Sequence, residues 1–217
     1  MAGYRTSWYE NRCAIESMDL GRGYFREIAP TEKQMIRLAA FVSFTILITV
    51  ISWRSLVVPG SHGFYRFFVW EAILGLILYN IPFWFQDPFS WYQLLSWMLL
   101  TASFGPLILG LYQLKRSGKP DGQGRDDPAL MNFEKTTQLV SDGVYRFIRH
   151  PLYSSLFLLN WGVFYKIPSL IGLILAVCAT GFLIATAKAD EGECVQVFGN
   201  AYKEYMNRTK MFIPFVF

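Results

Sequence analysis

Met35-Ile-Arg-Leu-Ala-Ala-Phe-Val-Ser-Phe-Thr-Ile-Leu-Ile-Thr-Val-Ile-Ser-Trp-Arg-Ser-Leu-Val-Val58 is almost continuously apolar. As an α-helix rising about 1.5 Å per residue, it is long enough to cross a hydrocarbon core of roughly 30 Å. This stretch sets the reading of the chain around it: the protein is expected to live in a membrane.

Beyond it, Pro59, Gly60 and Gly63 turn the chain, and a second apolar run extends from Phe64 to Phe85. Glu71 lies near its start, with Asn80 and Pro82 near its end. Glu71 has two readings, a functional acid within the membrane or an interfacial carboxylate; its nearness to the helix start and to Arg66 favours the second. A turn around Gln86, Asp87 and Pro88 leads to a third span, Trp91 to Leu114, which Gly105 and Pro106 interrupt. The polar stretch from Lys115 to Asp142 is broken by Gly118, Pro120, Gly122, Gly124 and Pro128. Its composition is that of disorder, or of a loop that orders over a ligand.

After Pro151 an apolar stretch ends near Tyr165, which at roughly 22 Å is short for a crossing. Pro168 precedes another run, Ser169 to Ala187. A helical hairpin fits both lengths and returns the ends of the pair to one membrane face. The expected fold is therefore all-α: an integral membrane bundle of about five transmembrane helices, the last two forming a hairpin, with a cytosolic C-terminal helical cap. Three regions follow: an interfacial N-terminal segment over residues 1–33, a three-helix membrane anchor over 34–114, and a catalytic membrane region over 115–217.

Composition agrees with this class. Of 217 residues, 53% are hydrophobic and 18% aromatic, more than a soluble domain of this size carries. The net charge of +4 comes largely from clustered loop arginines and lysines, which report topology and anionic headgroups before they report nucleic acid. No nucleic-acid motif is present. Placing the Lys115–Arg149 loop and the basic tail with Lys203, Arg208 and Lys210 in the cytoplasm satisfies the positive-inside pattern, although the N-terminal arginines, balanced by nearby acids, then fall outside. Cys13, Cys178 and Cys194 stand at unrelated spacings and suggest neither a disulfide framework nor a metal site. The charged N-terminus lacks an apolar core and does not read as a signal peptide.

Polar chemistry gathers in Ser141-Asp-Gly-Val-Tyr-Arg-Phe-Ile-Arg-His-Pro-Leu-Tyr153. Pro151 is favoured in the first turn of a helix, where its missing N–H would be unpaired anyway. Arg149 and His150 then flank a helix mouth whose unpaired N–H groups suit a carboxylate or phosphate. The plainer reading makes these basic residues positive-inside markers. If the last long helix continues past Ala187, Glu191, Val195, Phe198 and Tyr202 recur on one face beside His150; the competing reading is an amphipathic helix lying at the interface. A histidine with scattered acids falls short of a zinc or di-iron set, so no metal is expected. Ser154 or Ser155 with His150 lacks a third, orienting group for nucleophilic catalysis. No nucleophile elbow or dinucleotide fingerprint appears.

Taken in order, Gly143-Val-Tyr-Arg-Phe-Ile-Arg-His-Pro-Leu-Tyr153, Asp190-Glu191, Phe198-Gly-Asn-Ala-Tyr202-Lys-Glu-Tyr205, Arg208 and Ile213-Pro214 resemble the isoprenylcysteine carboxyl methyltransferase and phospholipid methyltransferase superfamily. The resemblance covers roughly residues 115–217. It departs from the family pattern at Asp190, where the pair is Glu-Glu, and at Ser154-Ser155, where many relatives carry glycine. The resemblance implies a multi-span enzyme that uses S-adenosylmethionine and a lipophilic acceptor entering from the bilayer, with its site facing the cytoplasm. It also implies cofactor binding by Tyr145, Arg149, His150, Pro151, Tyr153, Glu191, Tyr202 and Tyr205, and catalytic roles for Arg149, Glu191 and Arg208.

Side-chain chemistry accords with that implication. Glu191 can accept from ribose hydroxyls or an ammonium, Arg149 and His150 suit a carboxylate, and the tyrosines can pack on adenine or face the sulfonium. Arg208 suits either an acidic acceptor or lipid phosphate. Two other classes stay open: an NADPH-dependent sterol-reductase-like oxidoreductase, which the same region also resembles and whose pattern Cys194 fits, and a non-enzymatic lipid-binding module. The acceptor atom, whether carboxylate, amine or thiol, and the oligomeric state are not legible.

Overall fold

The computed structural model describes residues 31–118 and 137–214. The chain divides into two compact units, Met1–Val42 and Ser43–Phe217. Of the first unit, the described part is the opening of a long helix, α1 (Glu32–Leu56), which presents Met35, Ile36, Leu38 and Val42 outward. The expected interfacial segment and the centre of the polar loop lie outside the described residues.

Within the second unit the helices are α2 (His62–Asn80), prolonged by a 3₁₀ turn (Ile81–Phe83), α3 (Trp91–Ser117), α4 (Pro151–Phe164), α5 (Leu170–Phe198) and α6 (Asn200–Arg208). A second 3₁₀ turn, Gly143–Arg146, precedes α4. Among the described residues there is no β-strand, only an isolated bridge between Ile148 and Lys210. The fold is all-helical. Among the described residues four helices are long and apolar enough to cross a membrane: α1, α2 with its 3₁₀ extension, α3 and α5. α4, with 14 residues, is about 21 Å long and stops short, in line with the length of its apolar run. The many outward-facing Leu, Ile, Val and Phe side chains on the long helices are what lipid contact requires; this is an integral membrane protein.

Capping residues explain the boundaries. Ser61 accepts from the Phe64 N–H to open α2, and Ser169 accepts from the Gly172 N–H to open α5. α5 does run past Ala187, as the spacing of Glu191, Val195 and Phe198 suggested, until Gly199, at φ +59°, breaks it and starts α6. Pro106 does not interrupt α3; the helix carries it internally.

Packing pairs α3 with α4 and α2 with α5, while α4 also touches α2 and α5. Small residues allow the closest approach. A Cβ on Gly162 would stand 2.9 Å from Leu100 Cδ2, and Ser96 Oγ donates to the Gly162 carbonyl at 2.7 Å. At the hairpin turn the buried Lys166 sets its ammonium 3.3 Å from the Trp97 ring centre and 5.1 Å from that of Trp84, with Gln93 Oε1 at 3.2 Å. Those contacts stabilise a cation that hydrocarbon would otherwise exclude. Glu71 is the tenth residue of α2, about 14 Å from the helix start, and its Oε2 accepts from Thr45 Oγ1 at 2.7 Å. Its other oxygen, Oε1, is buried without a hydrogen-bond partner.

Candidate active site

The His-Pro corner forms because Pro151 starts α4 while the residues before it pair with the tail. Arg149 N–H donates to the Lys210 carbonyl at 2.8 Å, His150 N–H to Met211 at 3.2 Å, and Lys210 N–H back to Phe147 at 3.1 Å. Ser154 Oγ donates to the Phe212 carbonyl at 2.7 Å and Ser155 Oγ to the Leu152 carbonyl at 2.7 Å, so these hydroxyls brace backbone. Tyr205 O–H donates to the Tyr145 carbonyl at 2.7 Å, tying α6 to the 3₁₀ turn. Together these bonds fold the tail across the mouth of α4.

Between the corner, the end of α5 and α6 lies a cleft of about 680 Å³, part of it open to the surroundings. Tyr145, Arg149, His150, Pro151, Tyr153, Tyr202 and Tyr205 all line it. Asp190, Cys194 and Phe198 complete the polar and aromatic side; Leu114, Leu139, Val140 and Leu152 form an apolar side.

Charge alternates along the wall. Arg149 Nε donates to Glu191 Oε1 at 2.6 Å; Nη1 donates to the Met206 carbonyl at 3.0 Å and to that of Thr209. His150 sits between two acids, Nδ1 3.5 Å from Asp190 Oδ2 and Nε2 3.4 Å from Glu191 Oε1, with its ring stacked on Tyr153 at 5.2 Å. Burial pulls the imidazole pKa down, but hydrogen bonds and charge from Asp190 and Glu191 outweigh it, and the net shift is upward. Burial also raises the phenol of Tyr202, helped by the charge of Cys194, Asp190 and Glu191, and raises that of Tyr205, so both stay neutral. Tyr153 O–H donates to Asp190 Oδ2 at 3.4 Å and Cys194 Sγ to Asp190 Oδ1 at 3.7 Å.

Two expected site residues stand elsewhere. Glu191 lies behind the wall, held by Arg149 and His150, and its neighbour Asp190 is the acid that faces the cleft. Arg208 is exposed, with Nε donating to the Glu204 carbonyl at 3.4 Å one helical turn back, and does not line the cleft. Asp190 could have been found from the acid pair, since one helix step separates which of the two points inward. Leu139 and Val140 carry no chemical signal at all.

A family model described as phospholipid methyltransferase matches residues 123–201. Protein-S-isoprenylcysteine O-methyltransferase of Schizosaccharomyces pombe is 26% identical over 117 residues, 54% of this chain and 50% of that protein. Its B counterpart in Arabidopsis thaliana is 30% identical over 118 residues, 53% of this chain and 60% of the relative. Over its C-terminal half the chain is similar to the isoprenylcysteine carboxyl methyltransferase and phospholipid methyltransferase superfamily. Within that superfamily it also resembles methanethiol S-methyltransferase of Crocosphaera subtropica, at 31% identity over 72 residues, 33% of this chain and 28% of that one. The chain thus spans about half the length, or less, of the first curated relatives it matches. No solved structure matches it significantly.

Proposed function

We propose that the protein is an S-adenosylmethionine-dependent methyltransferase acting on a lipophilic or membrane-associated acceptor at the cytosolic face. The observation that carries this reading is the cleft itself, lined by seven residues of the motifs, among them His150 and four tyrosines, together with the carboxylate of Asp190. Its donor and acceptor set fits the cofactor. A carboxylate such as Asp190 suits an ammonium or a ribose hydroxyl, and the faces of Tyr153, Tyr202 and Tyr205 suit adenine or a sulfonium cation, each cation–ring contact being worth about 0.5 to 2 kcal/mol. When bound, the cofactor supplies a methyl group on a positively charged sulfur.

The residues then have separable tasks. Asp190 and the aromatic walls bind and orient. Arg149 and Glu191 hold the tail closed, which keeps bulk water from the reacting atoms and aligns acceptor with donor for an in-line displacement. His150, with an acid on each ring nitrogen, holds a proton in the wall; for an amine or thiol acceptor Asp190 is the base within the cleft. Arg149 is committed to Glu191 and to tail carbonyls, and Arg208 is outside the cleft, so neither arginine is placed to meet an acidic acceptor.

The test is equilibrium binding to purified protein in lipid nanodiscs. Saturable S-adenosylmethionine binding, weakened by Asp190→Asn and His150→Ala in protein that stays folded, is expected, followed by transfer of labelled methyl into a total lipid extract. NADPH binding in its place would overturn the reading in favour of a reductase, and binding of neither would leave a lipid-binding module.

A further inference from the structure

The mouth of α2, which lies outside the family match, meets the acidic turn of α5, which lies inside it. His62, the first residue of α2, is fully buried and lies 131 residues before its partner Glu193. Its backbone N–H donates to Glu193 Oε1 at 3.0 Å, and its ring Nδ1 stands 2.7 Å from Oε2. Both oxygens of one carboxylate are thus held at a helix N-terminus, where unpaired N–H groups and the helix dipole favour an anion.

Asp190, one turn before Glu193 on the same face of α5, offers its oxygen within 4.8 Å of the same imidazole. His62, Asp190 and Glu193 have the chemistry of a divalent-cation site, but both Glu193 oxygens already accept from α2 and the positive helix end opposes a metal. The cluster is better read as an anion clamp.

We propose that His62 is a positioning residue for the methyl-transfer site: by gripping Glu193 it fixes the rotational setting of α5 that turns Asp190 toward the cleft and Glu191 toward Arg149. A slip of one residue is a turn of about 100° on a helix and exchanges the two acids. The clamp rests on the methyltransferase reading for its effect on cofactor affinity, though not for its effect on the cleft. It makes α2 part of the site, where the sequence alone gave it only the role of anchor.

The experiment uses the full chain in nanodiscs with Cys13 and Cys178 replaced by serine, leaving Cys194 in the cleft wall. Three quantities are read: S-adenosylmethionine affinity, the alkylation rate of Cys194 and the thermal midpoint. His62→Ala is expected to weaken affinity and speed alkylation, each about tenfold, the scale of one lost charge-assisted hydrogen bond. His62→Asn, whose amide can donate near the Nδ1 position, restores most of both. Asn160→Ala, buried in the far half of the hairpin, lowers the midpoint without moving either. Alkylation unchanged by His62→Ala, or moved as much by Asn160→Ala, would overturn the clamp. If His62→Ala does not fold, Glu193→Gln gives the same readout, with faster alkylation supporting the clamp and an unchanged rate refuting it. A parent protein that does not bind S-adenosylmethionine sinks the methyltransferase reading instead, and the alkylation rate alone then decides the clamp.

Discussion

Arg149 and Glu191 meet side by side, Nε to Oε1 at 2.6 Å, with both side chains about nine-tenths buried. The same guanidinium holds the carbonyls of Met206 and Thr209, so one residue ties α5 and the tail to the His-Pro corner. Lysine keeps the charge but cannot make this planar set of bonds. Arg149→Lys is therefore expected to destabilise the protein by about 3 kcal/mol, the scale for breaking a buried pair. Limited proteolysis should cut the tail near Met206–Thr209 far faster than in the parent. A variant with a protected tail and an unchanged midpoint would show that the guanidinium geometry is not what holds the corner.

His150 supplies a pH prediction whose sign follows from its partners. Its folded-state pKa is raised above the ordinary value because Asp190 and Glu191 outweigh burial. A group raised on folding stabilises most fully below its unfolded pKa, about 6.5 for histidine, and loses that contribution as pH climbs through the folded value. The thermal midpoint of the parent should therefore exceed that of His150→Gln by most in mildly acidic buffer. The gap should close as pH rises above about 6.5. Parallel midpoint curves across the whole range would mean that the imidazole holds no extra proton.

Much of this site was legible because its signals are local. Pro151 at a helix start, the tyrosines of α6 and an acid at the end of α5 each lie within a few turns of sequence signals, and Pro151, Tyr202, Tyr205 and Asp190 all line one cleft. The contact of Glu71 with Thr45 was not legible, because it depends on how α1 packs against α2. His62 left no signal: a lone histidine after a turn gains its meaning only when α2 packs on α5 and brings Glu193 to it. Arg208 shares the helical tail with Tyr202 and Tyr205, but its place on α6 turns it to the surface while they are buried.

Asp190 and Glu191 should separate cleanly under mutation. Asp190 lines the cleft, so Asp190→Asn is expected to cost about tenfold in S-adenosylmethionine affinity, the scale of one charge-assisted hydrogen bond, with a midpoint close to the parent's. Glu191 lies behind the wall, so Glu191→Gln leaves Arg149 buried beside a neutral amide and lowers the midpoint first. Calorimetry and cofactor titration on the same two samples give the contrast. The reversed pattern would assign the cleft-facing role to Glu191.

Gly162 tests the scaffold apart from the chemistry. A Cβ there would stand 2.9 Å from Leu100 Cδ2 and 3.1 Å from the Leu100 backbone N, so the clash involves one group that can move and one that cannot. Gly162→Ala must push α3 from α4, straining the Ser96 bond to the Gly162 carbonyl as well. The expected loss is about 1 to 3 kcal/mol, as for other overpacked cores. Adding Leu100→Ala removes the side-chain clash but not the contact with the backbone N, so it should recover only part of the midpoint. Full recovery in the double variant would mean that helix separation is set by the Leu100 side chain alone, and no recovery would mean that it is set by the backbone contact.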